Sequence, residues 1–353
     1  MKILSIVGAR PQFIKLAPLH PEVSRRHEHI IVHTGQHYDY EMSQVFFEEL
    51  SIPDPNYNLG IGSGTHAEQT GAIMLACERT LLIEEPDVVL VYGDTNSTLA
   101  AGLAAAKLNI PIAHVEAGLR SFNRKMPEEI NRILTDHLST AFLCPSQASV
   151  ENLRKEGKEE HVHLVGDTMV QTLLMIEPKL TTEILTRNEL KSGQFVLCTV
   201  HRQDNADSIE NMESIIGAMI DSDESIVFPI HPRTKKNLDR WKMLPSIQKA
   251  ENIVLLPPQG FLSFISLEKH AKAIMTDSGG VQKEAFFFRV PCITMRCETE
   301  WVETVDHGWN VLVGSDRKSI LDALENLGPG DPNPTSYGDV HVATRIVEAL
   351  EDL

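Results

Sequence analysis

Short apolar runs alternate along this chain with longer segments whose apolar positions recur at helical spacing. In the first half the runs are Ile3–Val7, Ile30–Thr34, Val88–Val91, Ile112–Val115 and Ala141–Cys144. The pattern restarts with Val162–Val165 and continues through Phe195–Val200, Ile226–Pro229, Ile253–Leu256, Ala273–Met275 and Cys292–Thr294. Strands buried on both faces and separated by helices form parallel sheets, so the expected fold is α/β, two successive doubly wound units. With 353 residues the chain exceeds the usual size of one domain. The passage from one unit to the other is expected around residues 166–177, where Glu177-Pro178 reads as a linker. The expected domains are therefore 1–167 and 168–353, with a ligand held between them.

Ligands of doubly wound sheets bind at the carboxyl ends of the strands. The polar signals of this chain fall there: Gly8-Ala9-Arg10-Pro11, Gly93-Asp94-Thr95, Glu116 to Arg120, His201-Arg202, His231-Pro232-Arg233 and Asp277-Ser278-Gly279-Gly280. The last of these joins an apolar run to a helix-like segment. Its backbone N–H groups and the Ser278 hydroxyl suit a diphosphate, with Glu284 one turn later. Arg10, Arg120, Arg132, Arg202, Arg233 and Arg296 lie at or near strand ends; each suits phosphate oxygens or pairing with a carboxylate, and the anion role is favoured for Arg10 and Arg202. His201 suits a phosphate donor or an acid. Asp94, Glu116 and Glu128 form a set of carboxylates suited to moving protons at one carbon. The competing expectation is capping: Asp94 would cap a helix running through Leu108, and Glu128 with Glu129 would favour a helix start after Pro127.

A net charge of −17 argues against nonspecific nucleic-acid binding and against docking on an anionic membrane. No apolar stretch approaches the roughly 20 residues of a membrane-spanning helix, and the first residues lack a secretion signal, so a cytoplasmic location is expected. Cys77, Cys144, Cys198, Cys292 and Cys297 are odd in number and scattered, as reduced thiols would be. The dinucleotide fingerprint and the ATP phosphate loop are both missing, and the histidines at 27, 29, 33, 37, 161 and 163 form no coherent ligand set. No cofactor and no metal are expected.

Taken together, Gly8-Ala9-Arg10-Pro11-Gln12-x-Ile14-Lys15, Thr34-Gly35-Gln36-His37, Gly93-Asp94-Thr95, His114 through Arg120, Met126-Pro127-Glu128-Glu129-x-Asn131-Arg132, His201-Arg202 and Asp277-Ser278-Gly279-Gly280 resemble the non-hydrolysing UDP-N-acetylglucosamine 2-epimerases. The resemblance implies a GT-B-like pair of Rossmann-like domains facing a cleft that holds a UDP-sugar, with a last helix at about 339–353 crossing back to the first domain. It implies C2 epimerisation of UDP-N-acetylglucosamine to UDP-N-acetylmannosamine through 2-acetamidoglucal, and a homodimer. Asp94, Glu116, Glu128 and His201 match catalytic positions and Arg132 a supporting one; which carboxylate is base and which acid stays open. Arg10, Arg202, Ser278, Gly279, Gly280 and Glu284 match substrate-binding positions, Glu284 by accepting from ribose hydroxyls, and Lys15, His231 and Arg296 join them. Gln36, His37 and Gln69 are the candidates for a second, allosteric nucleotide-sugar site of the kind bacterial members carry, and because Tyr38-Asp39-Tyr40 departs from the bacterial run, activation through it stays open.

The chain departs from the family pattern in Asp204 before Asn205, in Asn123, and in Tyr38-Asp39-Tyr40. The alternative substrate is a modified UDP-sugar such as UDP-2,3-diacetamido-2,3-dideoxyglucuronate, whose C6 carboxylate would need a cation such as Arg124 or Arg296. A glycosyltransferase would use the same fold with an acceptor. A catalytically silent UDP-sugar sensor would have lost one of Asp94, Glu116 and Glu128, and all three are present.

Overall fold

The computed structural model describes residues 1–36, 44–332 and 337–353, apart from the side chain of Gln44. The chain divides into two compact units: Met1–Pro178 with Thr335–Leu353, and Lys179–Pro334.

The first unit is built on a parallel sheet of β1 (Lys2–Val7), β2 (Glu28–His33), β3 (Tyr57–Asn58), β4 (Val88–Tyr92), β5 (Ile112–Val115), β6 (Ala141–Cys144) and β7 (Val162–Leu164). The strands lie in the order β3-β2-β1-β4-β5-β6-β7. β1 therefore sits between β2 and β4, with Ser5 paired to both Ile31 and Leu90. The order reverses beside β1, which opens a crevice at the carboxyl ends of β1 and β4. One face of the sheet, carrying Leu4, Ile6, Val32, Val89 and Val91, packs on Ala100, Ala101, Ala104 and Ala105. Those small side chains let the Asn96–Lys107 helix approach the sheet closely.

The second sheet comprises β8 (Val196–Thr199), β9 (Ile226–Pro229), β10 (Ile253–Leu256), β11 (Ala273–Thr276), β12 (Cys292–Thr294) and β13 (Asn310–Leu312). Its order is β10-β9-β8-β11-β12-β13, again parallel, so its switch point lies between β8 and β11. The α/β expectation of two doubly wound units is met.

Three details differ from the sequence expectation. Val162–Leu164 does not start the second unit; β7 pairs with β6 at the edge of the first sheet. The strands β3 and β13 carry too few residues to show a period, and only pairing with β2 and β12 identifies them. The segment expected to pass between units is largely the Thr168–Ile176 helix, which stays with the first unit because Met169, Val170, Leu173 and Ile176 are buried. The final helix, Val342–Glu351, packs within that unit against the Arg10–Arg26 and Thr168–Ile176 helices through Val342, Ile346, Val347 and Leu350. Just before it, the Asp167 N–H donates to the Tyr337 carbonyl at 2.8 Å, and Gly166 and Gly338 approach so closely that a Cβ on either would meet the other's backbone.

No helix among the described residues is long and apolar enough to cross a membrane. Four cysteines are buried and Cys297 is exposed, all as free thiols. Burial pushes the thiols of Cys77, Cys144 and Cys292 up to about 12, which keeps them protonated and unreactive.

Candidate active site

In the first unit the polar groups gather where β1, β4 and β5 end. After β1 the chain turns directly into the Arg10–Arg26 helix, leaving the N–H groups of Gly8 and Ala9 to be satisfied. Gln12 accepts both, at 2.8 and 3.0 Å, and its amide donates to the Tyr92 carbonyl at 2.9 Å and the Thr98 hydroxyl at 3.0 Å. One buried side chain thus ties the end of β1 to the end of β4. Gly8 has to be glycine, because a Cβ there would collide with Thr34 and Ser97. The Arg10 guanidinium lies over the Phe46 ring, 5.1 Å from its centre.

Gly93 follows β4 with φ +60, a left-handed turn that glycine adopts without strain. The neighbouring carboxylates are held by buried cations. Lys15 Nζ pairs with Glu116 Oε2 at 2.8 Å, and a Cβ on Gly93 would lie 3.2 Å from that same oxygen. Glu116 has φ +76, a strained conformation for a side-chain-bearing residue and one that collects at functional sites. Arg132 donates to Asp94 Oδ2 from Nε at 3.0 Å, with Nη2 at 2.9 Å, and Asn131 donates to the Asp94 carbonyl at 2.9 Å. The capping expectation for Asp94 is not met: Thr95 caps the Asn96–Lys107 helix through Thr98 N. Glu128 is half-buried in the first turn of the Pro127–Leu138 helix.

Arg120 takes the carboxylate pairing rather than the phosphate role. It is buried against Asp136 and Glu156, at 2.7 and 2.8 Å. Burial alone would push the Asp136 carboxyl up, but His114 and Arg120 outweigh it and hold it below the ordinary range. His114 bridges Asp136 to the Gly93 carbonyl, both at 2.7 Å, so this knot supports the turn from beneath.

Gln36 accepts from the Ser97 hydroxyl at 2.8 Å. Gln69 accepts from Asn96 at 2.9 Å, and Asn96 in turn meets Asn131 at 3.4 Å. Both glutamines are thereby linked to side chains that follow β4. His37 and Tyr38-Asp39-Tyr40 lie outside the described residues. Asn123 accepts from Lys125 N at 3.1 Å, a turn contact that a neutral amide satisfies.

In the second unit the corresponding groups gather where β8 and β11 end. Asp277 is fully buried and accepts from the backbone N–H groups of His201 and Arg202 at 3.0–3.2 Å, tying the two strand ends together. Asn205 reinforces it, donating to Asp277 at 3.3 Å and to the Met295 carbonyl at 2.9 Å. Asp204 is exposed, so the family departure there leaves this contact intact. The His201 ring lies 5.6 Å from that of His231, whose Nδ1 accepts from Arg233 N at 3.2 Å. Arg233 itself is spent on Asp207.

Ser278 stands at the N-cap of the Gly279–Phe288 helix, yet its side chain makes no cap hydrogen bond. The first N–H groups of that helix therefore keep their donor capacity and its dipole stays available to an anion. A Cβ on Gly279 would run into Glu300, which pairs with Arg296 at 3.0 Å. Glu284 is 3% exposed, and its carboxylate has no hydrogen-bond or ion-pair partner among the described residues.

The sequence motifs contained Gln12 and Asp277 without assigning them work, and gave Glu129 only a helix-start role. All three are buried polar residues. For Gln12 the available signal was a polar residue between Pro11 and Phe13 in a segment destined for the core, because burial obliges such a group to find partners; Glu129 and Asp277 have polar neighbours and carried no such signal. Among the described residues no group of three or more histidines, cysteines and carboxylates is arranged to hold a metal ion.

Comparison with known proteins adds to this geometry. Residues 21–351 match the family model described as UDP-N-acetylglucosamine 2-epimerase. The chain is 53% identical to a UDP-N-acetylglucosamine 2-epimerase homolog of Methanococcus maripaludis, and 45% identical to the UDP-2,3-diacetamido-2,3-dideoxy-D-glucuronate 2-epimerase of Pseudomonas aeruginosa, with all of both chains covered in each case. Its structure is similar to that of the Methanocaldococcus jannaschii UDP-GlcNAc 2-epimerase in complex with UDP-GlcNAc and UDP, with a TM-score of 0.94 at 42% identity over the whole of both chains.

Proposed function

The chain belongs to the UDP-N-acetylglucosamine 2-epimerase family, and from that membership we propose that it interconverts UDP-N-acetylglucosamine and UDP-N-acetylmannosamine. At the coarser level it is a UDP-sugar 2-epimerase. The C2 hydrogen of such a sugar has no adjacent carbonyl to acidify it. Its removal becomes feasible when the C1–O bond to UDP breaks and the C–H electrons form the C1–C2 double bond of 2-acetamidoglucal. Return of UDP to C1, with a proton delivered to the other face of C2, completes the inversion.

The observation that carries this reading is the pair of carboxylates Asp94 and Glu116 beside Gly93, each held by its own buried cation, Arg132 and Lys15. Glu128 is the third carboxylate of the set. In this assignment Lys15 acts on Glu116 rather than on the substrate alone. Ser278, Gly279 and Gly280 bind the diphosphate, with Arg202 and His231 in support; His201 acts on the departing UDP, Glu284 accepts from the ribose hydroxyls, and Arg10 is assigned to substrate binding in the first unit. Gln36 and Gln69 are assigned to the second nucleotide-sugar site. The enzyme is assigned as a homodimer, which the large exposed side chains of Leu75, Leu82 and Ile83 on the His66–Glu84 helix favour.

The P. aeruginosa relative favours a second reading, in which the substrate is UDP-2,3-diacetamido-2,3-dideoxyglucuronate. Arg124 is exposed in the loop before Glu128 and is the cation for its carboxylate, whereas Arg296 is engaged by Glu300. NMR of the protein in deuterated water with each sugar, without added NAD or metal, separates the two. The expected result is UDP-N-acetylmannosamine carrying deuterium at C2. Turnover of the diacetamido sugar alone would transfer the assignment to the second reading.

A further inference from the structure

Glu129 is 1% exposed, and its two oxygens are fully employed. Oε2 accepts from Ser121 N at 2.9 Å, from the Ser121 hydroxyl at 3.0 Å and from Arg132 Nη1 at 2.6 Å. Oε1 accepts from Phe122 N at 2.9 Å. Phe122 has φ +59 and its side chain is 75% exposed, so a strained turn with an aromatic ring at its tip is pinned by this carboxylate. The same Arg132 that Glu129 holds donates to Asp94. A single buried anion thus fixes both the loop 121–125 and the cation that orients Asp94.

We propose that Glu129 is a positioning residue for the epimerisation: it holds Arg132 against Asp94, offsets part of the guanidinium charge, and locks the Phe122 turn beside the carboxylates. The proposal rests on the reading of Asp94 as an acid–base group. The physical reason is electrostatic. The negative charge of Glu129, itself immobilised by backbone donors, offsets part of the positive potential that Arg132 sets up at Asp94. Removing that charge leaves Asp94 in a more positive potential, so it surrenders its proton more readily and accepts one less readily. Among the described residues, the charged or titratable groups around the Asp94 turn include Glu116 and Lys15 beside Gly93, Glu128 on the same helix as Arg132, and His114, which touches the Gly93 carbonyl. A helix-start acid that only complemented the dipole would change stability and leave the proton affinity of Asp94 alone.

The test uses the full chain with Glu129→Gln. Turnover is expected to fall about tenfold or more with UDP affinity unchanged, and the pH–rate limb that Asp94→Asn abolishes is expected to move to lower pH. Carbon-13 NMR of the Asp94 carboxyl in ligand-free protein reads the same effect without activity: its titration midpoint is expected to fall in Glu129→Gln. If the wild-type protein turns over no UDP-sugar while that midpoint moves, the activity reading fails and the positioning stands. Near-wild-type turnover with an unmoved midpoint overturns the positioning. Should Glu129→Gln not fold, Glu129→Asp decides. It keeps the charge but cannot span from Arg132 to Phe122 N, so turnover is expected to fall with the pH profile unmoved, and full turnover overturns the proposal.

Discussion

Ser278 and Glu284 occupy one helix, and neither side chain finds a protein partner among the described residues. Burying a carboxylate without a donor is unfavourable, so a ligand that supplies hydroxyl donors to Glu284 recovers that cost on binding. Glu284→Gln and Ser278→Ala are each expected to weaken UDP binding by about 1–3 kcal/mol in calorimetry with the fold intact, the scale of one lost hydrogen bond. Unchanged affinity in both would remove UDP from this helix. The carboxylates of the first unit are tested by Asp94→Asn, Glu116→Gln and Glu128→Gln, which keep size and remove proton acceptance. Turnover is expected to drop by about two orders of magnitude or more while UDP binding persists. Product that retained its original C2 hydrogen in deuterated water would exclude exchange with solvent. At this scale the sequence displayed the reactive groups, because motifs name residue types. It hid the pairs Lys15 with Glu116 and Arg132 with Asp94, because partners distant in sequence meet only after folding.

Between the Arg10–Arg26 helix and the first sheet lies a polar chain that no motif marked. His20 and His29 stack at 5.0 Å, His29 Nε2 contacts the Ser5 hydroxyl at 2.8 Å, and Ser5 contacts the Tyr92 hydroxyl at 2.7 Å. Burial, with His20 beside it, lowers the His29 imidazole to about 3. An unfolded histidine titrates near 6.5, so between about 6.5 and 3 the unfolded chain binds the proton that the folded chain refuses. Stability from this group is therefore present above the unfolded value and is lost as pH falls through that window, by at most about 1.4 kcal/mol per pH unit. Urea midpoints of the wild-type protein at pH 6.5 and 4.5 are expected to differ more than those of His29→Gln. Equal differences would show that His29 does not carry the acid sensitivity. Element identity was legible wherever an apolar run was long enough to show its period. It failed at β3, β7 and β13, whose existence or sheet membership depends on the neighbouring strand.

For the whole protein, a ligand that binds only the folded chain stabilises it by mass action. UDP at about one hundred times its dissociation constant is expected to raise the unfolding free energy by about 2.7 kcal/mol, and Glu284→Gln at the same UDP concentration should gain less. A wild-type denaturation midpoint unmoved by saturating UDP would contradict the binding assignment. Sedimentation at micromolar concentration is expected to show a dimer, and monomer alone would withdraw the homodimer. The sequence by itself determined the two doubly wound sheets and the strand ends where chemistry collects, because apolar period and chain direction are local properties that a parallel sheet converts directly into topology. Only the tertiary structure decided that Val162–Leu164 closes the first sheet, that Arg120 supports Asp136 instead of meeting an anion, and that Arg132 reaches Asp94. The reason is that charge pairing and burial are properties of position in space. A sequence gives each group its chemistry, and the packed fold chooses its partner.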